Sequence, residues 1–215
     1  MENPQKQRNV NDLFIIATPT NSGKADIDTI RKLDQLPFLL QKGFMPVTCK
    51  KKGVARARTM CLVALKDHMK ANNIAHDGHA KIFWLDDDCV LDESFDIRRL
   101  AEWIRIADRN GWNLVANYKE PWHNYDVNVI LHRDTKDSSG SRTYRVYEDG
   151  ELNGLKELEE MPDAVAGMGF CYIDTPLDYI FREEGNSEDI CFEEDNKVVF
   201  HWMPVKIFHE KKVYI

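Results

Sequence analysis

Along this chain, continuous apolar runs alternate with segments whose apolar residues recur every three or four positions. Leu13-Phe14-Ile15-Ile16-Ala17 is a short unbroken run closed by the turn-rich cluster Thr18-Pro19-Thr20-Asn21-Ser22-Gly23. That predicts a buried strand and a loop. The loop lacks the Gly-x4-Gly-Lys spacing of a Walker loop. Asp26 or Asp28 can cap a helix running towards Gln41, with Gly43 as a stop. Pro37 inside it requires a kink or a second helix start. Phe44 to Cys49 reads as a second strand and Lys50-Lys51-Lys52-Gly53 as a basic loop. A clear helix then opens at Val54, with Ala57, Cys61, Ala64, Leu65 and His68 on one face and Asn72-Asn73 at its end. The apolar run from Lys81 is the third strand. Ser94 or Asp96 caps the next helix, whose face is Ile97, Leu100, Ala101, Ile104 and Ala107, closed by Asn110-Gly111. Asn113 to Asn117 is a fourth strand. The alternation of strands and helices predicts a mainly parallel sheet.

The second half has a different character. Asp126 to Arg133 and Ser141 to Glu148 read as antiparallel strands around a polar turn. Leu152 to Glu160 reads as a short acidic helix. Ala164 to Ile173 reads as a strand whose Gly167 and Gly169 allow a close backbone approach. Thr175-Pro176 opens a short helix through Phe181. An acidic segment follows from Glu183 to Asp195. Lys197 to His201 and Val205 to His209 are short strands. Residues 1–12 are polar and read as a flexible lead-in, and residues 13–215 as one domain.

Bulk composition narrows the function classes. The chain has 215 residues and 43% hydrophobic content, which a single α/β core accommodates. A net charge of −7 argues against a broad nucleic-acid surface. No apolar run reaches the ~18 residues of a membrane span. The lead-in has no apolar signal core. The five cysteines show no CxxC spacing, as expected of reduced thiols in a cytoplasmic protein.

The chemistry concentrates in Lys81-Ile82-Phe83-Trp84-Leu85-Asp86-Asp87-Asp88-Cys89-Val90-Leu91, an apolar run ending in three acids. Adjacent carboxylates repel and need water or a cation. If the strand persists through them, Asp86 and Asp88 point to one side and Asp87 to the other. Converging carboxylates suit a hard divalent cation; the plainer reading is an acidic, helix-capping turn. An EF-hand is excluded by spacing. Val54-Ala55-Arg56-Ala57-Arg58 places two arginines against the positive end of a helix dipole. They either meet a phosphate or carboxylate, or are solvated or paired elsewhere. His209 is a residue type that could complete a metal shell, although a lone histidine is more often structural. Glu188 and Asp189 are candidate general bases within a segment whose acids are otherwise a solvated face.

The ordered set Gly53-Val54-Ala55-Arg56-Ala57-Arg58, Phe83-Trp84-Leu85-Asp86-Asp87-Asp88, Val165-Ala166-Gly167-Met168-Gly169-Phe170, Ser187-Glu188-Asp189 and Val205-Lys206-Ile207-Phe208-His209 resembles the GT-A nucleotide-sugar-dependent glycosyltransferases with a DxD motif. The compact size is similar to their small viral or bacterial single-domain members. The resemblance implies a GT-A-like (Rossmann-like) mixed central sheet flanked by helices, mainly parallel in the N-terminal half with an antiparallel C-terminal portion. A nucleotide and metal half would span 13–118 and an acceptor half 119–215. It implies Mn²⁺ or Mg²⁺ held by Asp86, Asp88 and His209 against a donor diphosphate, UDP-sugar favoured. Thr18, Pro19, Thr20 and Arg58 would border the nucleotide and Asp87 the ribose or sugar. Gly167 and Gly169 would lie on the acceptor-side strand. Glu188 or Asp189 would face a glycan or glycoprotein acceptor as base. Where family members often carry an acid after the second strand, this chain has Cys49-Lys50.

Two other classes compete. Asp86-x-Asp88-x-Val90 also fits haloacid-dehalogenase-like phosphatases, with Asp86 as nucleophile. That class expects the motif on an early strand and a Ser or Thr after the next one, where Asn117-Tyr118-Lys119 stands. The third class is a non-catalytic nucleotide-sugar-binding module.

Overall fold

The computed structural model describes residues 8–20, 27–50, 53–122, 125–133, 143–182 and 187–209. The first half follows the expected alternation. Strand β1 (Leu13–Thr20) leads to helices α1 (Ile27–Leu33) and α2 (Leu36–Leu40), then strand β2 (Gly43–Lys50). Pro37 therefore marks a second helix start, within the first turn of α2. Helix α3 (Val54–Ala71), strand β3 (His79–Leu85), strand β4 (Cys89–Leu91), helix α4 (Ile97–Asn110) and strand β5 (Asn113–Val115) follow.

Strands β6 (Lys119–Trp122) and β7 (Tyr125–Asn128) pair as a hairpin. Strands β8 (Ile130–Arg133) and β9 (Tyr144–Val146) then form an antiparallel pair. Helix α5 (Asp149–Gly154), strands β10 (Glu160–Met161), β11 (Ala164–Ala166) and β12 (Phe170–Pro176), helix α6 (Glu188–Asn196) and strands β13 (Phe200–Trp202) and β14 (Ile207–His209) complete the chain.

Seven strands form the main sheet in the order β10-β13-β5-β12-β3-β1-β2. β1 is parallel to β2 and β3, while β12 lies antiparallel between β3 and β5. All eight residues of β1 are buried, as expected of a strand covered on both faces. Its side chains divide by parity. Leu13, Ile15 and Ala17 join Leu62, Leu65 and Met69 of α3. Phe14 and Ile16 join Leu33, Leu36 and the α4 residues Leu100, Ile104 and Ala107. The architecture is a three-layer α/β/α sandwich.

Several sequence expectations change. Strand β3 stops at Leu85, and the Cys89 amide donates to the Asp86 carbonyl at 3.2 Å, so Asp86 to Cys89 is a β-turn. The strict alternation of Asp86, Asp87 and Asp88 therefore does not hold. The acidic helix expected over Leu152–Glu160 lies earlier, at α5. The single strand expected over Ala164–Ile173 is two strands in different sheets, broken at Gly167–Gly169. Thr175 and Pro176 end β12 rather than opening a helix. Residues 8–12 of the lead-in are tied down: Asn9 bridges Ala75, and Val10 is buried. The expected turn around 134–142 lies outside the described residues. Cys61, Cys89, Cys171 and Cys191 are buried and Cys49 is half-buried.

Candidate active site

The acid turn sits at the carboxyl end of β3, next to the central strand of the sheet. Register places it. The Asp86 amide donates to the Gly169 carbonyl at 2.9 Å, extending the β3–β12 ladder by one bond. At Gly169 an added Cβ would fall 2.8 Å from Asp86 Oδ2 and also collide with the Tyr118 hydroxyl. A hydrogen is the only side chain that fits, so the glycine is required by close approach.

Arg58 organises the site. It lies one helical turn into α3 on the face shared with Ala55, Leu62, Leu65 and Met69, all buried. Its side chain is 1% exposed. One Nη donates to Asp86 Oδ1 at 3.2 Å and Oδ2 at 3.4 Å. The other donates to Glu188 Oε1 at 3.1 Å and to Asp189 Oδ1. Its Nε is buried without a hydrogen-bond partner. Burial pulls the Arg58 pKa down, but Asp86 and Glu188 outweigh it and leave the guanidinium above its ordinary value. For Asp86, burial pushes the carboxyl up, Arg58 opposes it, and Asp88 adds to the rise; the net direction is upward. Formally one guanidinium faces three carboxylates, a surplus of two negative charges if all are ionised.

Helix α6 brings the two distal acids. Ser187 caps it, its side chain accepting from the Ile190 amide at 3.4 Å, which places Glu188 and Asp189 in the first turn. Carboxylates are favoured at a helix N-terminus. Further along, fully buried Glu193 accepts from the Ala166 amide at 3.0 Å and fixes the helix to β11.

These groups line one cavity of ≈ 500 Å³. Arg58, Asp86, Tyr118, Asn128, Ser187, Glu188 and Asp189 are its polar lining, and Val129, Val165 and Ile190 contribute to an apolar wall. Gly167 lines it as well. Thus Arg58, Asp86, Gly167, Glu188 and Asp189, drawn from four separate segments, line the same cavity, whereas Asp88 and Gly169 do not. Thr20 donates its hydroxyl to Asp87, joining the end of β1 to the acid turn. Thr18 and Pro19 pair with Thr48 and Cys49 of β2 and do not line the cavity. β14 pairs with β4 so that His209 stands opposite Cys89, the residue after Asp88. The His209 side chain lies outside the described residues.

Tyr118 and Asn128 were missed in the sequence. Both lie at strand junctions. Asn128 is 6% exposed and is held by bonds to Tyr147 O, Asp149 and Asn117. Only an unusual density of polar residues around 117–128 signals them.

The donor chemistry fits a hard divalent cation: all the acids are oxygen donors, and a cation, the Arg58 guanidinium, already sits on Asp86. Among the described residues no three His, Cys, Asp or Glu side chains form a ready cage. A cation on Asp86 and Asp88 would complete its shell with water or phosphate oxygens. No helix among the described residues is long and apolar enough to cross a membrane. In comparisons with known proteins, no family model matches the chain and no curated protein matches it.

Proposed function

We propose that the chain is a metal-dependent glycosyltransferase of GT-A type. It would move a sugar from a nucleotide-diphosphate donor, UDP-sugar favoured, to a hydroxyl of a glycan or glycoprotein. One observation carries this reading. Asp86 at the end of β3, Arg58 near the start of α3, Gly167 of the glycine segment and Glu188 and Asp189 at the start of α6 line one cavity at the carboxyl end of β3. In open α/β sheets ligands bind outside the carboxyl ends of the strands.

Asp86 and Asp88 would hold Mn²⁺ or Mg²⁺, with His209 as a further candidate. When bound, the ion neutralises charge developing on the leaving diphosphate. Thr20 steadies the acid turn through Asp87. Arg58 lines the cavity, would face a donor phosphate, and orients Glu188 and Asp189. One of these two acids would take the acceptor hydroxyl proton if the reaction inverts the anomeric centre. The apolar wall beside them suits the carbon face of a sugar ring. The phosphatase alternative asks Asp86 to attack phosphorus, and a guanidinium on both of its oxygens opposes that.

A panel of nucleotide sugars, read by donor hydrolysis with Mn²⁺, Mg²⁺ or chelator, tests the reading. Metal-dependent turnover of one donor is expected. In Asp88→Ala, nucleotide affinity should lose its metal dependence. Unchanged affinity with chelator, or an aspartyl-phosphate trapped at Asp86 from a phosphate ester, would overturn it.

A further inference from the structure

Arg58 is an internal ion as well as a binding residue. Its side chain is 1% exposed, and its fork reaches Asp86 on one side and Glu188 and Asp189 on the other. Releasing Asp86 would not strand the guanidinium, because two carboxylates remain on its other nitrogen. Asp86 would be stranded unless another cation arrived. A divalent ion placed on Asp86 beside an unmoved Arg58 would meet like-charge repulsion at short range, in a site where screening is weak. The unpartnered, buried Nε shows that the present position leaves part of the guanidinium unsatisfied.

We infer that Arg58 is the resident counter-ion of Asp86 and competes with the divalent cation, so that metal entry requires Arg58 to withdraw onto Glu188 and Asp189. The inference rests on the proposed reading of Asp86 and Asp88 as cation ligands. It assigns Arg58 a specificity role. A divalent ion is attracted to Asp86 more strongly than a monovalent one and so competes better with the guanidinium. An anionic ligand that takes up the released Nη and Nε donors would make metal entry easier, coupling the two binding events. Arg58 is then a positioning residue for the acids of α6 in one state and an anion contact in the other.

Mn²⁺ alone, titrated against the full chain and followed by loss of the free-ion paramagnetic resonance signal, gives the test. Arg58→Gln should bind Mn²⁺ at least tenfold more tightly than the unaltered chain. Arg56→Gln controls for charge: Arg56 is exposed on the same helix, and its loss should change affinity less than twofold. If the two variants gain equally, Arg58 is only background charge and the inference falls. It also falls if Arg58→Gln binds no more tightly, or if no variant binds Mn²⁺. Circular dichroism checks folding. Should Arg58→Gln not fold, Arg58→Lys decides. It keeps the charge but cannot fork, so at least threefold tighter binding is expected and equality overturns the competition. A gain in Arg58→Gln with no nucleotide sugar consumed would leave this inference standing and remove the glycosyltransferase reading. Mn²⁺-dependent turnover with unchanged Mn²⁺ affinity in Arg58→Gln would do the reverse.

Discussion

At the scale of single residues, the site is governed by buried charge. Removing one member of a buried ion pair leaves its partners uncompensated and costs about 3–5 kcal/mol. The three carboxylates around Arg58 keep 14–23% of their side-chain surface exposed, which lets water share the burden. Arg58→Ala should therefore lose stability near the lower end, about 3 kcal/mol, as a shift in the urea midpoint. Gly169→Ala forces a methyl against Asp86 and Tyr118. It should cost about 1–3 kcal/mol by overpacking and weaken nucleotide binding, both readable by calorimetry. His201 offers a pH handle remote from the acid turn. It is buried, stacks on Trp112 with ring centroids 4.1 Å apart, and leaves Nδ1 unpartnered. Burial lowers its pKa, with Glu160 opposing. The unfolded chain then binds more protons than the folded one from about pH 6.5 down through the folded pKa. Stability should fall as pH drops through that window, and His201→Phe should flatten the slope there in thermal melts.

At the scale of elements, caps and periodicity explain what was legible. Helix α4 was readable entire: Asp96 caps it, Gly111 ends it at a φ of 70°, and all five expected face residues are buried. Helix α3 was found with its face half right. Ala57, Cys61 and Leu65 are buried, but His68 is exposed and Arg58 is buried in its stead. A count of apolar positions passes over a charge that faces inward. The break at Gly167–Gly169 was hidden because both flanking segments are apolar, and only pairing partners distinguish them. The β-turn at the acids was hidden likewise, since its closing bond is between backbone atoms. Ser187→Ala should cost about 1 kcal/mol by removing the α6 cap. Because Glu188 and Asp189 ride on that first turn, it should also weaken donor or acceptor binding. Asp96→Ala should cost about as much stability while leaving ligand binding unchanged. Denaturant midpoints set beside binding isotherms for the two variants check this.

At the scale of the whole molecule, sequence order and spatial order part company. The main sheet runs β10-β13-β5-β12-β3-β1-β2, so its central strand is contributed late in the chain. The parallel half was legible, because each strand-helix unit is local. The insertion of β12 was not, because it rests on pairings such as Tyr172 with Phe83 and with Leu114, far apart in sequence. A fragment covering 13–118 would hold β1, β2 and β3 with the long apolar edge of β3 uncovered. It should sediment as aggregate under conditions in which the full chain stays in solution, since uncovered apolar edges recruit other strands.

The central place of β12 also imposes an order in time. While the chain is being synthesised, residues 13–115 can form their strands and helices, but β3 and β5 have no common neighbour until Phe170–Pro176 has left the ribosome. Until then the three acids at the end of β3 lack the Gly169 carbonyl that anchors Asp86 and the helix that carries Glu188 and Asp189. The candidate pocket is thus among the last parts of the molecule to exist. Incomplete nascent chains would carry Arg58 and Asp86 without the pocket that the two residues line in the finished fold.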